Sequence, residues 1–177
     1  MKRIFFIVIL IIVAVTGFSQ NIDDWNWGGL VMFKPGTTIS DAILADWAGF
    51  KRSNYGEYKA GFDIAVDWVP YVAPNVGIPV EFEVLVSVDG IRGFAIIAGI
   101  SAVPLRHKEK SGLYLTVLGG PFFIAYTYTF AVKAYAGYQL VTDGGFVLTP
   151  AIGAKYNGIS GVSLDLMFDV GFAYRKK

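Results

Sequence analysis

Cysteine is absent from the 177-residue chain. That excludes disulfide frameworks, thiolate metal centres, thiol nucleophiles and a cysteine-anchored lipid together. Charge is scarce: Asp, Glu, Lys and Arg make up 16% of the residues, where about a quarter is usual. The two signs nearly cancel, at a formal net charge of +1, so no broad electrostatic pull toward nucleic acid or an acidic surface is expected. Histidine occurs once, as His107, and with no cysteine beside it the usual zinc ligand sets cannot be assembled. Beyond the amino-terminal segment, long apolar runs are missing as well. Every later one is broken by a charge, a Gly or a Pro within about ten residues, well short of the ~20 that a membrane-spanning helix needs.

What remains is apolar, aromatic and rich in glycine. Hydrophobic residues reach 54%, with 14 Phe, 10 Tyr, 4 Trp and 21 Gly. That mixture suits strands and tight turns better than helices. A soluble domain so poor in charge has trouble covering itself with polar atoms, so the composition leans toward lipid. The length fits one domain.

The first residues read as an export signal. Lys2 and Arg3 form a basic start, Ile4 to Val15 is an unbroken apolar run, and Thr16, Gly17 and Ser19 supply small residues. This three-part layout is that of a cleaved secretory signal peptide. It assigns residues 1–19 to the signal, with cleavage after Ser19, and residues 20–177 to one β-barrel domain.

Alternation with period two dominates the rest. Val162, Leu164, Leu166, Phe168, Val170, Phe172 and Tyr174 form one apolar face, against Ser163, Asp165, Met167, Asp169, Gly171 and Ala173. Seven apolar positions in one phase arise by chance on the order of once in a hundred. The pattern recurs from Tyr58, where Phe62, Ile64, Val66 and Trp68 oppose Lys59, Gly61, Asp63, Ala65 and Asp67. It recurs again with Val80, Phe82, Val84, Val86 and Val88 against Glu81, Glu83, Leu85 and Ser87. Segments around Phe130 and from Phe146 to Tyr156 repeat it, placing Lys133 and Lys155 on the minor face. Weaker strands run over Asn26–Phe33, Phe94–Val103 and Leu113–Gly119, which brings the expected total to eight.

The connectors predict hairpins. Asp89-Gly90, Asp143-Gly144-Gly145 and Asn157-Gly158 with Ser160-Gly161 are turn sequences whose Gly and Asn tolerate positive φ. Arg106 to Ser111 reads as a charged turn and Pro70 to Pro79 as a proline-punctuated one. No helix-length crossover separates the strands, so an antiparallel up-and-down meander is expected. One connector is long, from Lys34 to Glu57 (residues 35–57 as a loop). Within it Ser40 could cap a short helix that places Ile39, Ile43, Trp47 and Phe50 on one face.

Eight alternating strands fit a soluble ligand carrier or a membrane barrel, which are inside-out relatives. The minor face favours the membrane barrel. Gly61, Ala65, Ala131, Gly137, Ala151, Gly153, Gly171 and Ala173 lie on it, and small residues belong where eight strands converge rather than on a water-washed exterior. Aromatic residues also gather at strand ends, including Trp25, Trp27, Tyr58, Trp68, Tyr156, Phe172 and Tyr174, as in the girdles of outer-membrane barrels. The chain resembles the small eight-stranded outer-membrane barrels of didermic bacteria. Ser160-Gly161-Val162-Ser163-Leu164-Asp165-Leu166 is similar to the assembly signal in the last strand of that class. Members end on the terminal aromatic itself, whereas Arg175, Lys176 and Lys177 follow it here. The resemblance implies an all-β transmembrane barrel, localisation in the outer membrane, lipid as surroundings, and passage through periplasmic chaperones to the outer-membrane assembly machinery.

Two groups of side chains bear on chemistry. His107 lies among Arg106, Lys108, Glu109 and Lys110 with Ser111 nearby, and the sequence reads as a solvated turn rather than a nucleophile–base pair. The second group is larger. Asp63, Asp67, Glu81, Glu83, Asp165 and Asp169 fall on the inward phase with Lys59, Lys133 and Lys155. Charges in a narrow barrel are expected to pair across it as a structural network, because unpaired burial is expensive; a cation-favouring path is the other reading. The expectation is therefore a non-enzymatic outer-membrane barrel with a structural or surface-interaction role, no wide pore and no cofactor. The alternative is a secreted or periplasmic lipocalin-like soluble barrel that binds an apolar ligand.

Overall fold

Period-two sequence becomes strand almost throughout. The computed structural model describes residues 27–40, 60–73, 75–87, 90–107, 111–124, 127–158 and 161–175. The strands are β1 (Trp27–Ser40), β2 (Ala60–Ala73), β3 (Val76–Gly77), β4 (Val80–Ser87), β5 (Gly90–His107), β6 (Ser111–Ile124), β7 (Thr127–Val141), β8 (Phe146–Asn157) and β9 (Gly161–Arg175). Neighbouring strands pair antiparallel except β3 and β4, which lie end to end, and β1 also pairs with β9, so the sheet closes on itself. Closure removes both sheet edges.

The two-residue β3 and the longer β4 are halves of one wall. Both pair with β2 on one side and β5 on the other. Pro79 interrupts them because it lacks an N–H. Its carbonyl still accepts from Gly99 N at 3.1 Å, and Ile78 N still donates to Pro70 O at 2.9 Å. The ring therefore has eight walls, in the order β1, β2, β3/β4, β5, β6, β7, β8, β9.

Three expected connectors prove shorter. Residues 35–40 are strand, not loop: Pro35 pairs with Ile64, and Ser40, read as a helix cap, is the last residue of β1 and sits opposite Ser163. Two flanking strands supply partners on both sides, and that overrides the turn preference of Lys-Pro-Gly. The rest of the expected loop and helix, from 41 to 57, lies outside the described residues, as does the signal segment 1–19. The Pro70–Pro79 connector shrinks to residues 74–75 between β2 and β3, and Arg106 and His107 continue β5, opposite Gly112 and Ser111. At the β7–β8 turn Gly145 takes a φ of 84° and at the first residue of β9 Gly161 takes 77°, a region in which a Cβ is strained.

Side chains alternate across this wall with the expected phase. On β9, Leu166 and Phe168 are 44% and 50% exposed, while Asp165 and Asp169 are 1% exposed. Phe62, Val66, Phe82, Phe130, Ile152 and Val162 join the outward apolar set. The inside is filled. Leu30, Met32, Val69, Tyr71 and Val147 pack together toward the end that carries Trp27 and Arg175. Leu85, Ala95, Ile97, Leu118, Phe122, Ala131, Tyr135 and Met167 pack further along. The charged residues lie among these two apolar clusters.

Candidate functional site in the barrel lumen

Eight of the nine predicted lumen residues point inward and are buried: Asp63, Asp67, Glu81, Glu83, Lys133, Lys155, Asp165 and Asp169. Lys59 lies outside the described residues. A tenth charge was missed. Lys34 is 1% exposed and occupies the centre of the network. Its signal was present, because Leu30, Met32, Lys34 and Gly36 share one phase, but the expected strand ended at Phe33 and Lys34 fell in the long connector.

The charges form a row of alternating sign. Lys34 Nζ meets Asp67 Oδ2 at 2.7 Å and Glu81 Oε2 at 3.0 Å. The other oxygen of Glu81 accepts from Lys133 Nζ at 2.7 Å. Lys133 also donates to Glu83, and Lys155 Nζ reaches both Glu83 oxygens at 3.0 and 2.9 Å. Asp67, Lys34, Glu81, Lys133, Glu83 and Lys155 thus run from β2 through β1, β4 and β7 to β8. Each interior member is held on both sides, which is the condition under which buried charges offset their desolvation.

Tyr135 backs the row. Its ring centroid is 5.9 Å from Lys34 Nζ and 5.8 Å from Lys133 Nζ, within the range where a ring face attracts a cation. Its hydroxyl donates to Asp165 Oδ2 at 3.1 Å, and Ser163 Oγ lies 3.3 Å from Asp165 Oδ1. Lys155 Nζ sits 4.6 Å from the Phe122 ring centroid. Gly153, the register partner of Tyr135, makes room for that ring, since a Cβ there would collide with Tyr135 Cδ1. Asp169 is held more loosely, with Lys34 Nζ 4.0 Å from its Oδ2.

These bonds link side chains of β1, β2, β4, β7 and β8 across the lumen. The charges contact one another, and no group of three or more His, Cys, Asp or Glu gathers as metal ligands among the described residues. The backbone of His107 pairs with that of Ser111 at the end of β5.

The exterior is the complement. Phe94 stacks on Phe123 at 4.8 Å, flanked by Phe82 and Tyr128 at 6.5 Å each, toward the end that carries Ser40 and Ala60. Toward the opposite end Phe146 meets Phe172 edge-on at 5.7 Å, and Trp68 Nε1 donates to Tyr174 Oη at 3.0 Å. Tyr128 and Tyr138 both face outward from β7. At ~3.4 Å per residue and a tilt of ~40°, they stand about 26 Å apart along the axis, close to the ~25 Å apolar band of outer-membrane barrels. Apolar outside, charged inside and closed by eight antiparallel walls, the molecule is a barrel of the transmembrane type.

No protein-family model and no curated protein sequence matches the chain. Among solved structures it is similar to the outer-membrane protein Ail of Yersinia pestis in a phospholipid bilayer nanodisc, at 16% identity and a TM-score of 0.44, covering 82% of this chain and 99% of that one. It is also similar to crystalline Ail, the attachment invasion locus protein, at 14% identity and a TM-score of 0.48, covering 84% and 99%. A third similar structure is Ail in complex with the heparin analogue sucrose octasulfate, at 19% identity and a TM-score of 0.43, covering 82% and 99%. What points to lipid is the distribution of this chain's own side chains.

Proposed function

We propose that residues 1–19 direct export and are removed, and that residues 20–177 insert into the outer membrane as a non-enzymatic barrel with a structural or surface-interaction role. The observation that carries this is the sidedness of the wall. A soluble barrel would have to expose Phe62, Phe82, Leu166 and Phe168 to water while burying six carboxylates, reversing the usual cost of both. In hydrocarbon the same arrangement is the favourable one. Periplasmic chaperones and the outer-membrane assembly machinery are the partners expected during biogenesis.

The contact element is the connection between β1 and β2, residues 41–59. With the amino terminus in the periplasm, successive hairpins place this longest connection on the cell exterior. A filled interior leaves no wide path for solutes, which supports contact rather than transport. The test is fractionation followed by gel mobility with and without boiling. A closed barrel in the outer membrane gives a membrane-bound band that shifts on heating. A soluble protein, monodisperse without detergent, would contradict the reading.

A further inference from the structure

Proline brings no N–H to a ladder and belongs on sheet edges, yet a closed barrel has no edge. Two prolines nevertheless flank one residue of β9. Phe168 stands opposite Pro150 of β8. On its other side, between the pairs Phe33↔Val170 and Gly36↔Met167, it stands opposite Pro35 of β1. A strand residue with neighbours on both sides turns its N–H and C=O to one of them. Whichever side Phe168 turns to, its carbonyl meets a proline nitrogen that carries no proton.

The pairing shows where bonds are missing. β1 and β9 skip Lys34/Asp169 and Pro35/Phe168, so Phe168 faces β1. β7 and β8 skip Tyr138/Pro150 and Gln139/Thr149, so Pro150 faces β7 and the Tyr138 carbonyl loses its donor from β8. Tyr138, Pro150, Phe168 and Pro35 form one register row, and both seams fail at the same level of the wall. The inward side chains beside that row do not repair it. Thr149 Oγ1, Gln139 Oε1 and Asp169 Oδ1 have no hydrogen-bond partner, and Lys34 Nζ comes only to 4.0 Å from Asp169 Oδ2. Between the two seams, β8 and β9 pair without a gap from Phe146↔Phe172 to Asn157↔Gly161. Pro121 interrupts the β5–β6 ladder as well, between Ala95↔Phe122 and Ala98↔Gly119. That break lies opposite Phe130, well along β7 from the row of Tyr138.

We propose that the β8–β9 hairpin is a panel of the wall that opens as one unit, parting from β7 and β1 while the other walls stay paired. Its unbroken internal ladder holds the panel together, and the two proline-interrupted seams are the lines along which it separates. Two side-chain bonds latch it shut: Lys155 Nζ to Glu83 Oε2 at 2.9 Å, and Tyr135 Oη to Asp165 Oδ2 at 3.1 Å. Cooperative units of this kind open at a free energy below that of global unfolding. Opening uncovers the buried carboxylates of Asp165 and Asp169. The inference rests on strand pairing alone and does not depend on what surrounds the barrel.

The experiment is residue-resolved amide hydrogen exchange on the refolded barrel in detergent. Bonds alternate between neighbours along each strand. The amides of Leu148 and Ile152 therefore bond β7 and those of Leu166 and Val170 bond β1, whereas those of Ala151, Gly153, Asp165 and Met167 bond within the panel. The seam amides should exchange about tenfold or more faster than the internal ones, because panel opening frees only the first set. Pro35→Val combined with Pro150→Val returns both missing N–H donors and should close that gap. Lys155→Met removes a latch and should widen it. Equal exchange at the alternating positions of the wild type, or a gap that the double proline variant leaves unchanged, would overturn the proposal.

Discussion

Lys155 on β8 and Glu83 on β4 stand on diametrically opposite walls of the barrel, yet Lys155 Nζ lies 2.9 Å from Glu83 Oε2. Antiparallel pairing joins each wall only to its neighbours, so a bond across the diameter ties together strands that the backbone leaves independent. Glu83 also accepts from Lys133. Its replacement by Leu should therefore remove the carboxylate that Lys155 reaches and one of the two that hold Lys133, and cost about 3–5 kcal/mol, the usual penalty for breaking a buried pair. Denaturant unfolding in detergent measures it. Adding Lys155→Met to Glu83→Leu should recover part of the loss, since Lys133 keeps Glu81.

Lys34 is the residue whose loss separates a central network from a decorative one. It holds Asp67 and Glu81 and is the nearest ammonium to Asp169. Lys34→Met should destabilise the barrel by about as much as loss of Glu83, and by more than Lys155→Met, because Lys155 closes only the end of the row. Unfolding midpoints of the two variants under identical conditions decide the order.

The same substitution should cost different amounts at different depths on the outward face. Leu166 lies mid-strand on β9 and Val162 near its start. Arginine at position 166 should cost ~2–4 kcal/mol in a bilayer, and at position 162 ~0–1 kcal/mol. Reversible unfolding from liposomes checks both. Equal costs would mean that no apolar band surrounds the strand.

Gly153 gives a packing prediction independent of charge. A methyl group there would overlap both the ring of Tyr135 and the Ala134 carbonyl oxygen. Gly153→Ala should therefore cost about 1–3 kcal/mol as overpacking. Repacking Tyr135→Phe cannot relieve it, because the collision is with the ring. The double variant should be no more stable than Gly153→Ala, as unfolding experiments would show.

How much of this was legible in the sequence depended on the kind of signal. Alternation told the face of Asp63, Glu81 and Asp165 without any knowledge of partners, because strand geometry alone fixes it. Lys34 was lost for a local reason. Lys-Pro-Gly has strong turn chemistry, and only pairing with β2 and β9 reveals that Pro35 and Gly36 continue the strand. Arg106 and His107 were misread in the same way, as a charged turn that the β5–β6 ladder absorbs. The pairing of Lys155 with Glu83 could not be read, since it depends on closure between strands far apart in the chain.

The absence of cysteine makes the central claim directly measurable. Single cysteines placed one at a time from 162 to 174, spin-labelled in liposomes, report access to oxygen dissolved in hydrocarbon and to a water-soluble nickel chelate. Positions 162, 164, 166, 168, 170, 172 and 174 should be reached by oxygen, most strongly near the middle, and shielded from nickel at 166 and 168, with the odd positions low in both. Nickel access at 166 and 168 equal to that of a free label in water would contradict a lipid-facing wall.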